Sequence, residues 1–509
     1  MPKNAAIEQE DGYGLQISPP NRDRLNSVIN PSSPPSGLFI AGEWVETRER
    51  IPVLQKYTGE TLGTIAAAGP DHLESAVAAA RKAFPAFARM PAHQRSAILE
   101  KASLLLRAHQ EPMAKWIAME TGKALKFARL EAERAADTFH LSSQEACRIH
   151  GETLPMDAVR SGEGLLGFWQ RKPLGVIAAI TPFNFPLNLV SHKVAPALAA
   201  GNTVVLKPSE VTPYSAAFLC RILEEAGLPA GCLNLVHGAG SAIGSALVEH
   251  RGTDMITFTG SAAVGKAILA RAGIKRTTLE LGNASPVVIA EDADLRRAAA
   301  KCALGANYCS GQVCISTQRI YAEAKIAEAF MELLLEETAR LKVGDPLDEV
   351  TDVGPMISER EATRVAAWIG EAKMDGARVR HGEERKGAVH YPTVLDRVKP
   401  GMKVVDEEVF GPVVSVIPCR DFPEALRQAD DSRYALQASV FTRDIERAFR
   451  AISDLGFGGI IINDTPHMRP DHIPYGGNRQ SGLGREGPRF AIEEMTRIQM
   501  IQFRTAYPN

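Results

Sequence analysis

The sequence predicts an α/β protein of two large domains. A chain of 509 residues is longer than one hydrophobic core usually organises. Two separate regions alternate short apolar runs with Ala-rich helical stretches, and the composition, 45% hydrophobic and 23% charged, is that of an ordinary globular protein.

In chain order, residues 1–36 are polar and end in NPSSPPSG, a stretch too poor in apolar groups to fold alone, so a flexible extension is expected there. From Leu38, FIAGEWVE reads as one short β-type segment, and an amphipathic helix follows from Leu73 to Phe87. Helical patterning then dominates to Cys147. Between Leu165 and Glu280 the apolar runs GVIAAI, NTVVLKP, LNLVHG and MITFTG are each followed by a helical segment. This is the pattern of repeated βαβ units, whose parallel sheet is covered on both faces. A second such region runs from Ser285 to Asp464, with PVVIA, RIYAEA, VVSVIP and GGIIIN as strands and AKIAEAFMELLLEETARL as an amphipathic helix.

Charge and cysteine content exclude several classes. A formal net charge of -2 leaves no electrostatic footprint for nucleic acid or anionic lipid. Seven cysteines, odd in number and unevenly spaced, argue against a disulfide framework and for a reducing compartment, and no Cys/His spacing suggests a metal. No apolar run reaches membrane-spanning length. The N-terminal MPKNAAIEQEDGYG has neither the apolar core of a secretory signal nor the composition of a transit peptide, so a cytoplasmic location is expected.

Five segments carry candidate chemistry. AAITPFNFPLN ends a strand at Ile180 and presents Asn184 in a proline-flanked loop, at the strand end where α/β proteins collect ligands, although taken alone it reads more readily as a turn residue between prolines. VVLKPSE sets Lys207 and Glu210 just past another strand, where they could grip ribose hydroxyls or simply be solvated. ITFTGSAAVGKAI stops a strand at a Gly-Ser turn and opens a helix with Gly260 and Gly265 bracketing its first turn, an arrangement that could bind an anion or serve only the turn; HGAGSAIG, with Gly240 and Gly244, has the same ambiguity. In GANYCSGQVCISTQR, Cys314 sits at a turn after an Ala-rich helix, a setting that favours thiolate, although a lone cysteine is more often a small core residue. TTLELGNASP places Glu280 after apolar residues, where it could be desolvated, with a pKa raised toward that of a general base, or simply be salt-bridged or exposed.

Taken in order, TPFNFP, LKPSE, FTGS, LELG, GQVC and EEVFGP resemble the aldehyde dehydrogenase superfamily over residues 38 to the end, most closely its lactaldehyde, phosphonoacetaldehyde and non-phosphorylating glyceraldehyde-3-phosphate branch. The resemblance implies a Rossmann-like cofactor domain (residues 37–149 and 171–284), an α/β catalytic domain (285–474) and a small β extension for oligomerisation (150–170 and 489–509), in a homodimer or homotetramer. It implies oxidation of an aldehyde to an acid with NAD, NADP not being excluded. Cys314 would attack the aldehyde, Asn184 hold the oxyanion, and Glu280 activate water against the thioester. Thr181, Phe183, Lys207, Glu210, Gly240, Gly244, Gly260, Ser261, Glu408 and Phe410 would contact the cofactor.

Departures from the family pattern bear on substrate. Phe183, Asn283 with Ala284, and Arg479 replace commoner residues without touching Cys314, Glu280 or Asn184, whereas Arg497 removes an acidic position found in many relatives. Arg469 and Arg134 could bind an anionic group through their guanidinium forks. Val313 and Phe185 stand where phosphate- and phosphonate-handling relatives often carry Arg and His, which favours a small or medium aldehyde, hydroxylated or singly anionic. Two other readings stand beside this: a coenzyme A-acylating enzyme, against which Glu280 speaks, and a catalytically silent protein on the same fold.

Overall fold

In the computed structural model, which describes residues 34–504, the first alternating region forms an eight-stranded sheet. Its centre is five parallel strands in the spatial order Leu233–Leu235, Thr203–Lys207, Val176–Ile180, Met255–Thr259 and Arg276–Glu280. The first four are buried throughout, which is why their sequences are unbroken apolar runs rather than alternations. The order reverses beside Val176–Ile180: the chain moves outward on one side, then crosses to the other. Such a switch opens a crevice beyond the carboxyl ends of the strands, and Ile180, Lys207, Thr259 and Glu280 are those ends.

The segment FIAGEWVE is two strands, not one. Leu38–Ile40 and Glu43–Val45 fold back as a hairpin on the sheet edge, turned by Ala41 and Gly42 at φ 58° and 87°. An Ala-Gly turn lacks the Asn-Gly or Asp-Gly signature of such hairpins, so its sequence signal is weak. At the other edge Gly482–Leu483 pairs antiparallel with Leu279 and Glu280.

The second region forms a seven-stranded sheet in the order Arg378–His381, Thr393–Asp396, Val413–Cys419, Thr317–Glu323, Ser285–Ile289, Gln437–Phe441 and Gly459–Ile462. All neighbours are parallel except the first pair. A third sheet is antiparallel: Glu152–Leu154, Leu165–Pro173 and Thr496–Arg504. The strand from Leu165 thus runs past residue 170 to Pro173, because its hydrogen-bonded register with the last strand extends to Thr496. The C-terminal stretch from 489 is not all strand: helix Pro488–Glu494 first packs against helix Asn188–Ala199, burying Ala491 and Ile492. Apart from residues 34–36, the expected N-terminal extension lies outside the described residues, as do residues 505–509. Among the described residues no helix is long and apolar enough to cross a membrane, and no group of His, Cys, Asp or Glu could hold a metal ion.

Candidate active site

A cavity of about 1180 Å³ lies beyond the carboxyl ends of the central strands, walled by both large sheets. The loop after Val176–Ile180 supplies Thr181, Phe183, Asn184 and Phe185. Lys207, Glu210, Gly240, Gly244, Gly260 and Ser261 come from the neighbouring strand ends. Val313, Cys314, Glu408, Phe410 and Arg469 come from the second region, and Arg134 from helix Leu125–Ala146. Of the site residues expected from sequence, Glu280 alone is not in the wall.

Cys314 is aimed by an unusual turn. Helix Leu295–Asn307 is followed by Cys309, Ser310 and Gly311, all left-handed at φ 51°, 57° and 70°. Two of these are non-glycine residues, a conformation that persists only when its surroundings enforce it. Here the Ser310 hydroxyl donates to the Gly354 carbonyl at 2.8 Å, and a Cβ at Gly311 would sit 2.0 Å from the Gly411 carbonyl oxygen. The turn delivers Gln312, Val313 and Cys314 to the cavity. Cys314 is half-buried, and its sulfur lies 3.2 Å from the Tyr475 hydroxyl. Burial pushes its thiol up to about 12, against the partial relief of the Tyr475 hydrogen bond and the Arg469 charge. Desolvation thus opposes the thiolate that the turn favours.

Asn184 is buried opposite. Its Nδ2 donates to the Gln312 carbonyl at 3.0 Å, so the loop carrying Asn184 is tied to the turn carrying Cys314. An amide nitrogen has two hydrogens, and one is left after this bond.

Glu280 stands behind the cavity wall, at the back of Gly476, where an added Cβ would lie 3.0 Å from Oε1. It is buried, and neither carboxylate oxygen has a hydrogen-bond partner among the described residues. Burial, then the neighbouring Glu486, raise its pKa well above the usual carboxylate range. Glu486 is held low instead, because Lys193 at 2.8 Å, together with Arg469 and His192, outweighs its own burial. Two neighbouring carboxyls with pKa values driven apart are the arrangement that separates a proton acceptor from a structural anion.

On the other side of the cavity, Lys207 Nζ pairs with the Glu210 carboxylate at 2.8 Å. Gly240 and Gly244 face open space: a Cβ at either would meet no atom within 4 Å. Gly260 and Ser261 precede helix Ala262–Ala272, whose first turn is capped by the Ser261 side chain. The Glu408 carboxylate accepts the Asn283 backbone N–H at 3.1 Å, and burial pushes it up to about 7. Gly282 is the neighbour that leaves room for it, since a Cβ there would fall 2.3 Å from Oε2. Phe410, left-handed at φ 47°, meets Phe183 edge-on at 5.8 Å.

With this geometry in view, comparison decides the family. The model described as "Aldehyde dehydrogenase family" matches residues 44–501. The chain belongs to the aldehyde dehydrogenase family. It is 46% identical over 465 residues to a 3-sulfolactaldehyde dehydrogenase of Priestia aryabhattai, covering 91% of this chain and 97% of that one. It is 37% identical over 468 residues to a lactaldehyde dehydrogenase of Methanococcus aeolicus, covering 91% and 99%. A crystal structure of betaine aldehyde dehydrogenase from Staphylococcus aureus in complex with NAD+ superposes with a TM-score of 0.91 at 31% identity, covering 95% of this chain and 97% of that one. The protein is an oxidoreductase that converts an aldehyde to a carboxylic acid with NAD(P). The residues here suit such a cofactor: besides the open glycines, the buried hydroxyls of Thr181 and Thr259 have no hydrogen-bond partner among the described residues.

Sequence reasoning missed part of this aldehyde dehydrogenase site. Tyr475, in IPYGG, touches the thiol, yet only its place between proline and two glycines hints at a constrained aromatic. Gln312 ties the two loops through its carbonyl, a role no side-chain pattern encodes. The buried set Lys193, His192, Asp471 and Glu486 is spread over three segments and becomes visible only in three dimensions. Arg134 and Arg469, expected as anion clamps, line the cavity but are already paired, with Asp471 at 2.8 Å and Glu486 at 3.0 Å. Buried cations need such counter-ions.

Proposed function

We propose that this aldehyde dehydrogenase oxidises a small or medium aldehyde that is hydroxylated or singly anionic, with Cys314 as nucleophile, Asn184 as oxyanion donor and Glu280 as base. The observation that carries the reading is the tie between the two loops: Asn184 bonds the Gln312 carbonyl, two residues from Cys314, in a cavity reached from both sheets. The sulfur attacks the carbonyl carbon, and the free Asn184 N–H, with the Cys314 backbone N–H, receives the oxygen as it gains charge. Lys207 and Glu210 hold the adenosine ribose, Gly240, Gly244, Gly260 and Ser261 accommodate the pyrophosphate, and Glu408 and Phe410 position the nicotinamide ribose and ring, with Thr181 and Phe183 completing the wall. The bound nicotinamide supplies the hydride acceptor. Glu280, its carboxylate free of hydrogen bonds and its pKa raised, takes a proton from the water that releases the acid.

The substrate class follows from the character of the inner wall. Its charges occur in compensated pairs, Arg134 with Asp471, Arg469 with Glu486 and Lys301 with Asp464, and the surface between them is Phe127, Leu130, Phe185 and Met468. A wall without surplus positive charge suits one anionic or hydroxyl group better than a doubly charged phosphate. The relative named for 3-sulfolactaldehyde, an aldehyde with one hydroxyl and one sulfonate, agrees. A panel of purified aldehydes followed by NADH appearance tests this. Hydroxylated and singly anionic aldehydes are expected to lead in kcat/KM; preference for glyceraldehyde 3-phosphate or phosphonoacetaldehyde, or a requirement for added coenzyme A, would overturn it.

Two further expectations attach to this reading. Asn184→Ala should lower kcat by about 10² to 10³ with little change in KM for the cofactor, the usual effect of removing one oxyanion donor. Glu210, beside the expected ribose position, would repel a 2′-phosphate, so NAD is preferred. Glu210→Ala frees Lys207 to meet that phosphate and should narrow the NAD over NADP preference in kcat/KM by about tenfold, a change of one charge contact.

The exposed three-stranded sheet, with Leu166, Ile498 and Phe503 on its surface, supports assembly into a homodimer or homotetramer. Seven free cysteines support a reducing, cytoplasmic location.

A further inference from the structure

The reading of Cys314 as nucleophile leaves a physical difficulty: its thiol sits in a desolvated position, yet it must react as thiolate. Among the described residues, Tyr475 is the side chain whose polar atom reaches the sulfur, at 3.2 Å. Three contacts fix that hydroxyl. The Tyr475 and Glu486 backbones exchange hydrogen bonds at 3.1 and 2.6 Å. The Glu486 carboxylate accepts from Arg469 Nη2 at 3.0 Å. The Arg469 guanidinium then lies over the Tyr475 ring, 3.5 Å from its centroid. The chain of contacts closes on itself and holds both the backbone of Tyr475 and one face of its ring. Tyr475 is buried in a cluster with Phe185, Leu189, Val313 and Ile315.

Resting on the assignment of Cys314 as nucleophile, we propose that Tyr475 is a further catalytic residue: its hydroxyl donates to the Cys314 sulfur and stabilises the thiolate, while Arg469, clamped by Glu486, makes the phenol a stronger donor. With a neutral thiol either atom can donate, but a thiolate only accepts, so ionisation commits the tyrosine proton to the sulfur. A cation over the ring face withdraws electron density and strengthens the O–H as a donor. No proton leaves the tyrosine, whose own ionisation burial strongly opposes. The other charges felt by the sulfur are Arg469, which favours thiolate, and Glu408 and Glu280, which oppose it. Tyr475 thus offsets two carboxylates that the reaction needs nearby.

The test titrates the thiol directly. In a Cys147→Ser background, which removes the exposed cysteine, labelling by a fluorescent iodoacetamide is measured against pH for the parent, Tyr475→Phe and Arg469→Gln, with Cys314→Ala as the control. Tyr475→Phe should move the labelling midpoint up by on the order of one pH unit and lower kcat/KM near neutrality about tenfold, the worth of one hydrogen bond to a charge. Arg469→Gln should shift it in the same direction by less. Cofactor binding, read by protein fluorescence, should stay intact in Tyr475→Phe, and it reports folding. An unmoved midpoint overturns the proposal, including the case in which kcat falls without it, which would place the hydroxyl on the substrate oxygen instead. Should Cys314→Ala retain both activity and labelling, the nucleophile assignment itself fails, a result distinct from any given by Tyr475→Phe.

Discussion

Cys314→Ala should abolish aldehyde-dependent NADH formation, with a loss of at least about 10⁴-fold in kcat, because members of a nucleophilic constellation act as a unit and nothing else can replace the sulfur. None of the other six cysteines lines the cavity. Cys309, five residues away, is buried outside the cavity wall, so it cannot substitute. The variant should retain its fold, since alanine removes one half-buried atom and leaves the 309–311 turn and the Asn184 to Gln312 bond intact. Thermal unfolding with and without NAD separates the outcomes: a ligand-dependent rise in Tm alongside lost turnover is expected, and persistent turnover would refute Cys314 as nucleophile.

Glu280→Gln should produce a different deficit. Acylation and hydride transfer do not need the base that deacylation needs, so rapid mixing should show a burst of about one NADH per active site, followed by a steady rate about a thousandfold below the parent's. The pH dependence carries a sign. Glu280 acts as carboxylate, and burial beside Glu486 raises its pKa. Parent kcat should therefore fall as pH drops through a midpoint above the usual carboxylate range, and recover as pH rises past it. Glu280→Gln should lose this acid limb. An unchanged acid limb, or a variant lacking the burst, would remove Glu280 from the deacylation step.

What the sequence made legible follows the physics of each element. The parallel strands were readable because burial on both faces forces unbroken apolar runs, as in Val176–Ile180 and Met255–Thr259. The hairpin at Leu38–Val45 was not, because Ala41 and Gly42 turn it without the usual residues. Asn184, Cys314 and the glycines of the cavity were legible through their place at strand ends and turns, and through company in a fixed order. Tyr475 and Glu486 were not, because their meaning lies in one isolated backbone bridge and in a guanidinium stacked against a ring. The desolvation of Cys314 was not legible for a related reason: a turn is local and readable, whereas burial among Phe185, Val313 and Ile315 is a property of packing.

The paired charges of the inner wall also constrain how such a protein can change over generations. Replacing Arg134 or Arg469 alone takes one partner from a buried anion, leaving Asp471 to His192 and Asn188 or Glu486 to Lys193, at a cost of up to about 3–5 kcal/mol. That is a large fraction of the 5–15 kcal/mol that holds a typical domain folded. Lineages seeking a new aldehyde would therefore move first through the uncharged positions Phe127, Leu130, Val313 and Met468, where one step at a time is survivable.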